Sequence, residues 1–257
     1  MTPNRMREQW SRGEVTLGGW VLTADPLVAA IAGSIGFDYV GIDVQHGAAT
    51  GATTPGIVSA LAARTTPLVR VSENAGAAIG MALDAGALGV IVPMVESAEQ
   101  ARMAVSACRY PPEGARSFGP AHARILWGAD YGSWADDVVA CIPMIETVRG
   151  LDNVDEIMAV PGVDAVYVGP ADLSLSLGLP PVLDHEDTRF GDALEAVTAA
   201  ARRHGVVAGA HANAALTDKR IEQGFGMITV SVDQPLLTEA LARSLRDGRD
   251  AVERGEA

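Results

Sequence analysis

Two carboxylates follow apolar stretches of the chain at the points where those stretches end. Glu146 ends the run that begins at Val138, and Asp172 follows Ala165–Val168 through a Gly-Pro turn. Both side chains supply only oxygen, which suits a hard divalent cation such as Mg²⁺ or Mn²⁺ better than Zn²⁺, because Zn²⁺ prefers nitrogen and sulfur. The pattern therefore predicts a metal site. The alternative is that both acids only stabilise the first turns of two helices, where the helix dipole favours negative charge.

A third acid, Glu96, ends another apolar run in the same way. The segment from Ile91 to Ser97 resembles the segment from Cys141 to Thr147. The residues alone therefore leave Glu96 and Glu146 as rival ligands for the cation.

The turn before Asp172 has the features of an anion-binding site. Gly169 permits a close approach of the backbone, and Pro170 fixes the turn, so that the N–H groups of Ala171 and Asp172 point outward at a helix start. A helix start of this kind binds a carboxylate or a phosphate. A plain strand-to-helix turn, which Gly-Pro often marks, is the alternative.

Further polar residues lie at or near the ends of predicted strands. Arg70 interrupts an apolar strand, and a buried guanidinium there needs an anionic partner, either a substrate oxygen or Asp43. His46 is a candidate proton carrier because the pKa of histidine lies near neutrality, although a lone loop histidine is usually a surface residue. His211 ranks below it as a residue that lines the cavity, and Trp20 lies inside the first strand.

Lysine chemistry is nearly excluded by composition. The only lysine is Lys219, which lies in the helical stretch after the seventh predicted strand. An imine-forming lysine inside the fold is therefore not expected. Carbonyl chemistry here would need a metal ion as the electron sink.

Eight short apolar runs position these residues, and they alternate with Ala-rich helical stretches, as in a parallel sheet. Eight such units predict a single (β/α)₈ barrel, whose C-terminal rim gathers catalytic residues from separate strands. No Gly-x-Gly-x-x-Gly follows the first run, which argues against an open dinucleotide-binding sheet. The predicted strands are Leu17–Leu22, Tyr39–Val44, Leu68–Val71, Gly89–Val95, Val139–Ile145, Ala165–Val168, Val206–Ala210 and Met227–Val232.

All 257 residues are expected to form one domain, since this is near the usual length of such a barrel. The segment 110–137 breaks the alternation, and its length and aromatic content predict a functional loop that packs against the site or a partner subunit. Residues 235–253 form one long helical pattern, in the simplest interpretation the eighth barrel helix. The other predicted helices include Pro26–Ser34, Pro55–Arg64, Ala75–Ala85, Ala98–Arg109, Asp192–His204 and Ala214–Gln223.

Composition narrows the class of partner and compartment. The formal net charge of −13 leaves no basic stripe for a nucleic-acid backbone. The first ten residues lack the apolar region of a secretory signal, and no apolar run reaches the roughly 18 residues of a membrane span, so a cytoplasmic protein without a membrane partner is expected. Cys108 and Cys141 are isolated from other ligands and are predicted to be buried thiols.

Six motifs, taken in chain order, resemble one family, the metal-dependent (class II) pyruvate aldolases of the HpcH/HpaI type. The resemblance extends from Trp20 to the last strand and implies a (β/α)₈ barrel of the phosphoenolpyruvate/pyruvate type. The motifs are Ile42-Asp-Val-Gln-His, Leu68-Val-Arg-Val-Ser, Val92-Pro-Met-Val, Arg109-Tyr-Pro-Pro-Glu-Gly-Ala-Arg-Ser, Ile145-Glu-Thr and Val168-Gly-Pro-Ala-Asp-Leu-Ser.

The resemblance implies a role for each candidate residue. Glu146 and Asp172 would bind the metal, with Mg²⁺ or Mn²⁺ as the expected ion and Co²⁺ or Zn²⁺ as alternatives. Relatives need no acid at the position of Glu96, which favours Glu146. Arg70 would face the keto oxygen of the substrate, and His46 would belong to the proton-transfer machinery.

The resemblance also implies roles for residues that line or support the site. The substrate would also contact Trp20, Gly169 and Ala171, and Asp43 and Gln45 would support the catalytic residues from behind. Gln45 replaces a Glu often found beside the histidine, so no charged role is expected there and the expected substrate preference changes.

Assembly is also part of the resemblance. Asp84 matches a family acid that supports the histidine, yet it precedes the fourth strand, so it is expected to reach the site of a neighbouring subunit. The family exchanges its eighth helix between subunits and forms hexamers, which gives the helix 235–253 a second interpretation.

The expected activity is formation or cleavage of the carbon–carbon bond between the enolate of a 2-oxo acid, pyruvate or hydroxypyruvate, and an aldehyde. A related lyase of the citrate-lyase-β or oxaloacetate-decarboxylating kind is the first alternative. A metal-binding barrel without catalytic activity is the second, because a fold does not determine a function.

Overall fold

The computed structural model describes residues 4–255, and eight parallel strands close into a barrel in the order of the chain. Each strand pairs with its successor, and the first also pairs with the eighth. The predicted (β/α)₈ fold is therefore confirmed. The strands are β1 (Thr16–Val21), β2 (Tyr39–Asp43), β3 (Thr66–Arg70), β4 (Gly89–Val92), β5 (Ala140–Ile145), β6 (Ala165–Val168), β7 (Val207–His211) and β8 (Met227–Val232).

Helices cover the outside of this barrel, and their apolar faces pack on the strands. A second cluster, which includes Tyr39, Leu68, Ile142 and Tyr167, fills the barrel interior. The helices are α1 (Arg5–Ser11), α2 (Pro26–Ser34), α3 (Thr54–Ala62), α4 (Gly76–Asp84), α5 (Ala98–Cys108), α6 (Ala121–Trp127), α7 (Ala135–Val138), α8 (Val148–Asp152), α9 (Val154–Met158), α10 (Pro170–Ser176), α11 (Thr188–His204), α12 (Thr217–Glu222) and α13 (Asp233–Gly255).

Strand β4 is shorter than its apolar run predicts, because it ends at Val92 rather than Val95. Pro93 has no backbone N–H for the ladder, and Met94 turns into the left-handed region with φ of +56°. Apolar composition alone does not reveal this bend. The bend places the Met94 amide where it can donate to a neighbouring strand end.

Helix α1 closes the N-terminal end of the barrel, and the apolar periodicity did not predict it. Its Met6 is fully buried against the interior cluster. Just before it, the Asn4 amide donates to the carbonyl oxygens of Leu88 and Val138, at 3.0 and 2.9 Å. The mouth of the barrel, the opening at the carboxyl ends of the strands, is therefore the side where a ligand can enter.

The segment 110–137 contains the helix α6, one 3-10 turn and all but the last residue of α7. It forms a small core of its own around Tyr110 and Tyr131. The buried Arg116 guanidinium lies 4.6 Å from the centre of the Tyr110 ring and donates to the Tyr131 hydroxyl at 3.2 Å. The segment is therefore an ordered unit.

Helix α13 starts at the barrel rim, where the Asp233 carboxylate accepts the backbone N–H groups of Leu22 and Thr23. None of its 23 residues is buried. Leu237, Leu241 and Leu245 form an apolar stripe that is at least half exposed. A second exposed stripe lies on α2 and the residue that follows it, at Leu27, Ile31 and Ile35. No helix within residues 4–255 is both long and apolar enough to cross a membrane.

Candidate active site

Asp43 is the centre of one wall of the mouth. Arg70 donates to it twice, from Nε to Oδ1 at 3.0 Å and from Nη2 to Oδ2. Trp20 Nε1 donates to Oδ2 at 3.2 Å, and the backbone N–H groups of Gln45 and His46 each donate to Oδ1 at 3.0 Å. Burial raises the pKa of Asp43, but these hydrogen bonds outweigh it and hold the pKa below its usual value.

The Arg70 side chain is held in place and keeps one donor free. Its guanidinium carbon lies 5.4 Å from the centre of the Trp20 ring, a cation–π arrangement. Within residues 4–255, Nε and Nη2 bind Asp43, whereas Nη1 has no partner. Only 12% of the side chain is exposed, at the mouth. Arg70 is thus a positioned cation with one N–H-bearing nitrogen available to a ligand.

Glu146 forms the opposite wall, directly after β5. It is 2% exposed, and its Oε1 accepts the backbone N–H of Met94 at 2.7 Å. Burial raises the pKa of the Glu146 carboxyl to about 7, and the negative charge of Asp172 contributes, although the Met94 N–H and the positive Arg70 act against it. Left-handed backbone at a non-glycine residue is often a feature of functional sites, and Met94 is such a residue.

Glu146 and Asp172, hereafter the carboxylate pair, have no Lys, Arg or His within salt-bridge distance in residues 4–255. Gly169 makes room for the pair, because a Cβ at this position would lie 2.5 Å from Glu146 Oε2. Close backbone approach was predicted at Gly169, and the group that approaches is a protein carboxylate. The pair therefore lacks the positive charge that two buried or half-buried acids need.

The donor set of the pair fits a hard divalent cation. Residues 4–255 contain no cluster of three or more His, Cys, Asp and Glu that could hold a metal. Two carboxylates leave most coordination positions to water and to substrate oxygens, which is how proteins usually bind Mg²⁺. The rival Glu96 is already bound, since it accepts the Thr147 hydroxyl at 2.9 Å and lies 3.6 Å from Arg149.

The N-terminus of α10 lies beside the carboxylate pair. The backbone N–H groups of Ala171 and Asp172 belong to its first turn and have no acceptor within residues 4–255. Asp172 is partly exposed, whereas Pro170 is buried. The structure therefore brings the predicted anion-binding amides to the same opening as the carboxylates.

The loop after β2 holds His46 and Gln45. Asp43 accepts hydrogen bonds from its backbone, and His46 is exposed, with no side-chain partner within residues 4–255. The Gln45 Oε1 is buried without a hydrogen-bond donor in the same part of the chain. A buried acceptor of this kind usually has a bound water or ligand as its partner.

Asp84 does not join this mouth. It is the last residue of α4, at the opposite end of the barrel, and its Oδ1 accepts Arg116 Nη2 at 2.8 Å. The carboxylate is partly exposed, with 37% of the side chain accessible. Its location agrees with the expectation that Asp84 does not serve its own barrel.

Sequence reasoning missed one part of the mouth, the hydroxyl groups beneath Trp20. The Tyr167 ring stacks on Trp20 with 5.8 Å between ring centres, and its hydroxyl lies 2.5 Å from Thr229 Oγ1. Burial raises the pKa of Tyr167, so its proton stays on the oxygen. A tyrosine inside the apolar strand β6 was the available signal, because a buried phenol needs a partner.

A closed (β/α)₈ barrel whose mouth gathers three acids, an arginine and a histidine has the architecture of a barrel enzyme. A family model described as HpcH/HpaI aldolase/citrate lyase matches residues 16–240. A hydroxypyruvate/pyruvate aldolase of Rhizorhabdus wittichii is 34% identical over 251 residues, which cover 96% of this chain and 99% of the relative.

Two further comparisons agree. A 2-keto-3-deoxy-L-rhamnonate aldolase of Klebsiella pneumoniae subsp. pneumoniae is 36% identical over 240 residues, covering 91% of this chain and 89% of the relative. The crystal structure of an HpcH/HpaI aldolase/citrate lyase family protein from Burkholderia cenocepacia J2315 matches with a TM-score of 0.88 at 32% identity, covering 96% of this chain and 99% of that chain. The chain belongs to the HpcH/HpaI aldolase/citrate lyase family. It is a carbon–carbon lyase of the aldolase class, and the resemblance seen in the motifs is confirmed.

Glu146 should make the metal-free protein less stable as the pH rises. The folded state keeps the proton up to a pKa of about 7, whereas the ordinary value is 4.5, so between these values folding binds a proton and stability falls with pH. At 1.36 kcal/mol per pKa unit, the loss is roughly 3 kcal/mol. We expect Glu146→Gln to remove it, so that the variant gains stability over the parent between pH 5 and pH 8.

Urea unfolding in the presence of a chelator at the two pH values measures this difference. Glu156→Gln, at an exposed position on α9, is the matched control and should show no such gain. An advantage of Glu146→Gln that is equal at pH 5 and pH 8 would contradict the assignment of the raised pKa to this carboxyl.

Proposed function

We propose that the protein is a divalent-metal-dependent aldolase that joins the enolate of pyruvate or hydroxypyruvate to an aldehyde, or cleaves the product. The observation that carries this proposal is the carboxylate pair, with Glu146 buried and no protein cation bound to either acid, and with Arg70 near enough for its charge to lower the pKa of Glu146. The names of the relatives, which include hydroxypyruvate/pyruvate aldolases, support the substrate class.

Glu146 and Asp172 would hold the metal, with Mg²⁺ or Mn²⁺ as the ions best suited to two carboxylates and Co²⁺ or Zn²⁺ as alternatives. When bound, the cation would act as a Lewis acid that polarises the 2-oxo group and stabilises negative charge on its oxygen. It would also supply the positive charge that the pair lacks.

The chain's own groups would orient the 2-oxo acid. The free Nη1 of Arg70 would donate to the keto oxygen, and the hydrogen bonds to Asp43 hold the guanidinium in one orientation. The amides of Ala171 and Asp172 would hold the carboxylate, with Gly169 beside them. The Trp20 ring packs against the Arg70 guanidinium. Donors fixed before the reaction stabilise developing charge most effectively, since they need no reorganisation.

His46 would carry the proton. In synthesis it would remove a proton from C3 of the donor, and in cleavage it would take the proton of the 4-hydroxyl group. Asp43 orients the backbone at His46, and Gln45 lies beside it with a buried acceptor oxygen. Asp84 would support His46 from the neighbouring subunit. Because Asp84 accepts a hydrogen bond from Arg116, the segment 110–137 would then be part of the same subunit contact.

We also propose that the protein is a homo-oligomer, a hexamer by family resemblance, that exchanges helix α13. The exposed leucine stripe of α13 and the exposed stripe of α2 each lack a partner within residues 4–255. One copy's α13 laid on another copy's α2 would bury both stripes.

A cytoplasmic location agrees with the buried free thiols of Cys108 and Cys141, because disulfides are rare in that compartment.

The first experiment follows exchange of the C3 protons of pyruvate with deuterium from solvent, by NMR. We expect exchange with Mg²⁺ or Mn²⁺, none after chelation, and recovery when the ion returns. Exchange that survives exhaustive chelation would contradict the metal requirement, and no exchange under any condition would favour the barrel without catalytic activity.

Incubation with oxaloacetate in parallel with pyruvate and glycolaldehyde separates the aldolase from the related lyases.

Arg70→Ala should lower kcat by about 10²–10³, the usual cost of losing a donor to a developing oxyanion. Arg70→Lys should recover only part of this loss, because lysine cannot make both hydrogen bonds to Asp43. Steady-state kinetics of retro-aldol cleavage measures the effect. Arg149→Ala is the matched control, since Arg149 is 72% exposed and loosely paired with Glu96. Wild-type turnover in Arg70→Ala would rule out the role.

Assembly is tested by Leu237→Lys combined with Leu241→Lys. We expect the charged stripe to shift the protein to smaller species in light scattering, because the apolar face could no longer be buried. Glu239→Lys makes the same change in net charge on a different side of the same helix and should leave the mass unchanged. An unchanged mass for the double variant would contradict the role of α13 in assembly.

A further inference from the structure

His211 has no role in the mechanism above, although it lies at the mouth. It is the last residue of β7, and it points into the barrel, where its ring meets Trp20 edge to face at 5.2 Å between centres. Trp20 in turn contacts Arg70 and donates to Asp43. His211 is therefore part of the wall that contains the oxyanion donor.

Hydrogen bonds fix the orientation of the His211 ring. Its Nδ1 lies 3.3 Å from the Tyr167 hydroxyl, which lies 2.5 Å from Thr229 Oγ1. Thr229 Oγ1 also lies 3.0 Å from the Tyr39 hydroxyl, deep in the barrel. Because Nδ1 binds this inward chain of hydroxyls, Nε2 is directed away from it and has no partner within residues 4–255. The residue is only partly buried, so Nε2 is accessible from the mouth.

The His211 ring is neutral. Burial lowers the pKa of His211 to about 4, and the positive charge of Arg70 acts in the same direction, against the weaker opposing effect of Asp43. A neutral imidazole gives no charge attraction to a carboxylate or phosphate. A hydroxyl group is its natural partner, because a hydroxyl both donates and accepts and therefore suits either tautomer.

We propose that His211 is a specificity-determining residue whose Nε2 hydrogen-bonds a hydroxyl group of the substrate, so that the enzyme prefers a hydroxylated substrate to its deoxy counterpart. This inference rests on the proposed aldolase function. The hydroxyl group has two sources, C3 of a hydroxylated 2-oxo acid or C2 of a hydroxyaldehyde. A substrate without the hydroxyl would leave Nε2 without a hydrogen-bond partner in a wall that is largely shielded from water. The free-energy cost of that unpaired group is what makes a polar site reject the analogue.

The test compares preferences rather than single rates. The donor preference is the ratio of kcat/KM for hydroxypyruvate to that for pyruvate with one aldehyde. The acceptor preference is the ratio for glycolaldehyde to acetaldehyde with one donor. We expect His211→Leu to lower one of these ratios about tenfold, the size of one neutral hydrogen bond, and His211→Gln to restore most of it. His204→Leu, on the outer end of α11, is the matched control and should leave both ratios unchanged.

A drop in the donor ratio assigns the hydroxyl to the 2-oxo acid, and a drop in the acceptor ratio assigns it to the aldehyde. If neither ratio changes by threefold in His211→Leu, or if both variants slow all substrates equally, the proposal is wrong. Thermal unfolding of each variant checks folding, and His211→Phe replaces His211→Leu if the latter does not fold.

A binding measurement separates failure of this proposal from failure of the aldolase function. Titration calorimetry compares the Kd of hydroxypyruvate with that of pyruvate in the parent and in the His211 variants, in the presence of Mn²⁺, and it needs no turnover. If the parent enzyme converts no aldehyde, the comparison of hydroxypyruvate binding with pyruvate binding decides alone. A tenfold loss of the preference for hydroxypyruvate in His211→Leu supports the contact, and an unchanged preference overturns it.

Discussion

The structure of the mouth depends on one electrostatic imbalance, the burial of Glu146 beside Asp172 without a protein cation. Burial of an isolated carboxylate is costly, and a protein usually relieves it with a basic side chain or by keeping the proton. Here no basic side chain of residues 4–255 forms a salt bridge with either acid, and the pKa of Glu146 rises to about 7. Gly169 and the left-handed Met94 both help to keep Glu146 in this position. These features together favour a bound divalent cation as the missing charge.

The facing wall has the opposite character, because its charges are compensated. Asp43 accepts five hydrogen bonds, two of them from Arg70, and so it remains ionised in the interior. That network fixes Arg70, Trp20 and the loop of His46 relative to one another. A compensated wall can hold a substrate in one orientation, whereas the uncompensated carboxylates need an added ion. In this account, the wall around Asp43 positions the substrate, and the wall with the carboxylate pair holds the ion that stabilises its charge.

Much of this arrangement could be predicted from the sequence, because a parallel barrel brings the ends of its strands to one opening. Apolar runs that end in Glu146, Asp172 or Arg70 are therefore informative even without coordinates. Predicted strand ends lie within one or two residues of the observed ones except in β4, where Pro93 and the left-handed Met94 end the strand early.

The features that could not be predicted depend on contacts between distant residues. The partners of Glu96, which are Thr147 and Arg149, lie in α8 and just before it, and the sequence around Glu96 does not reveal them. The hydroxyl chain from Tyr39 through Thr229 and Tyr167 joins three strands, and no local pattern reveals it. The helix α1 lacks apolar periodicity because its contact with the core is made by the buried Met6 and the partly buried Trp10. Local pattern therefore identifies the candidates, and three-dimensional packing selects among them.

The most direct measurement is a crystal structure of the protein with Mn²⁺ and pyruvate, with the ion located by its anomalous scattering. We expect one Mn²⁺ bound by the carboxylates of Glu146 and Asp172, with pyruvate oxygens completing its coordination and Arg70 Nη1 within hydrogen-bond distance of the keto oxygen. A manganese ion bound elsewhere, or pyruvate bound with no ion at these two acids, would contradict the account.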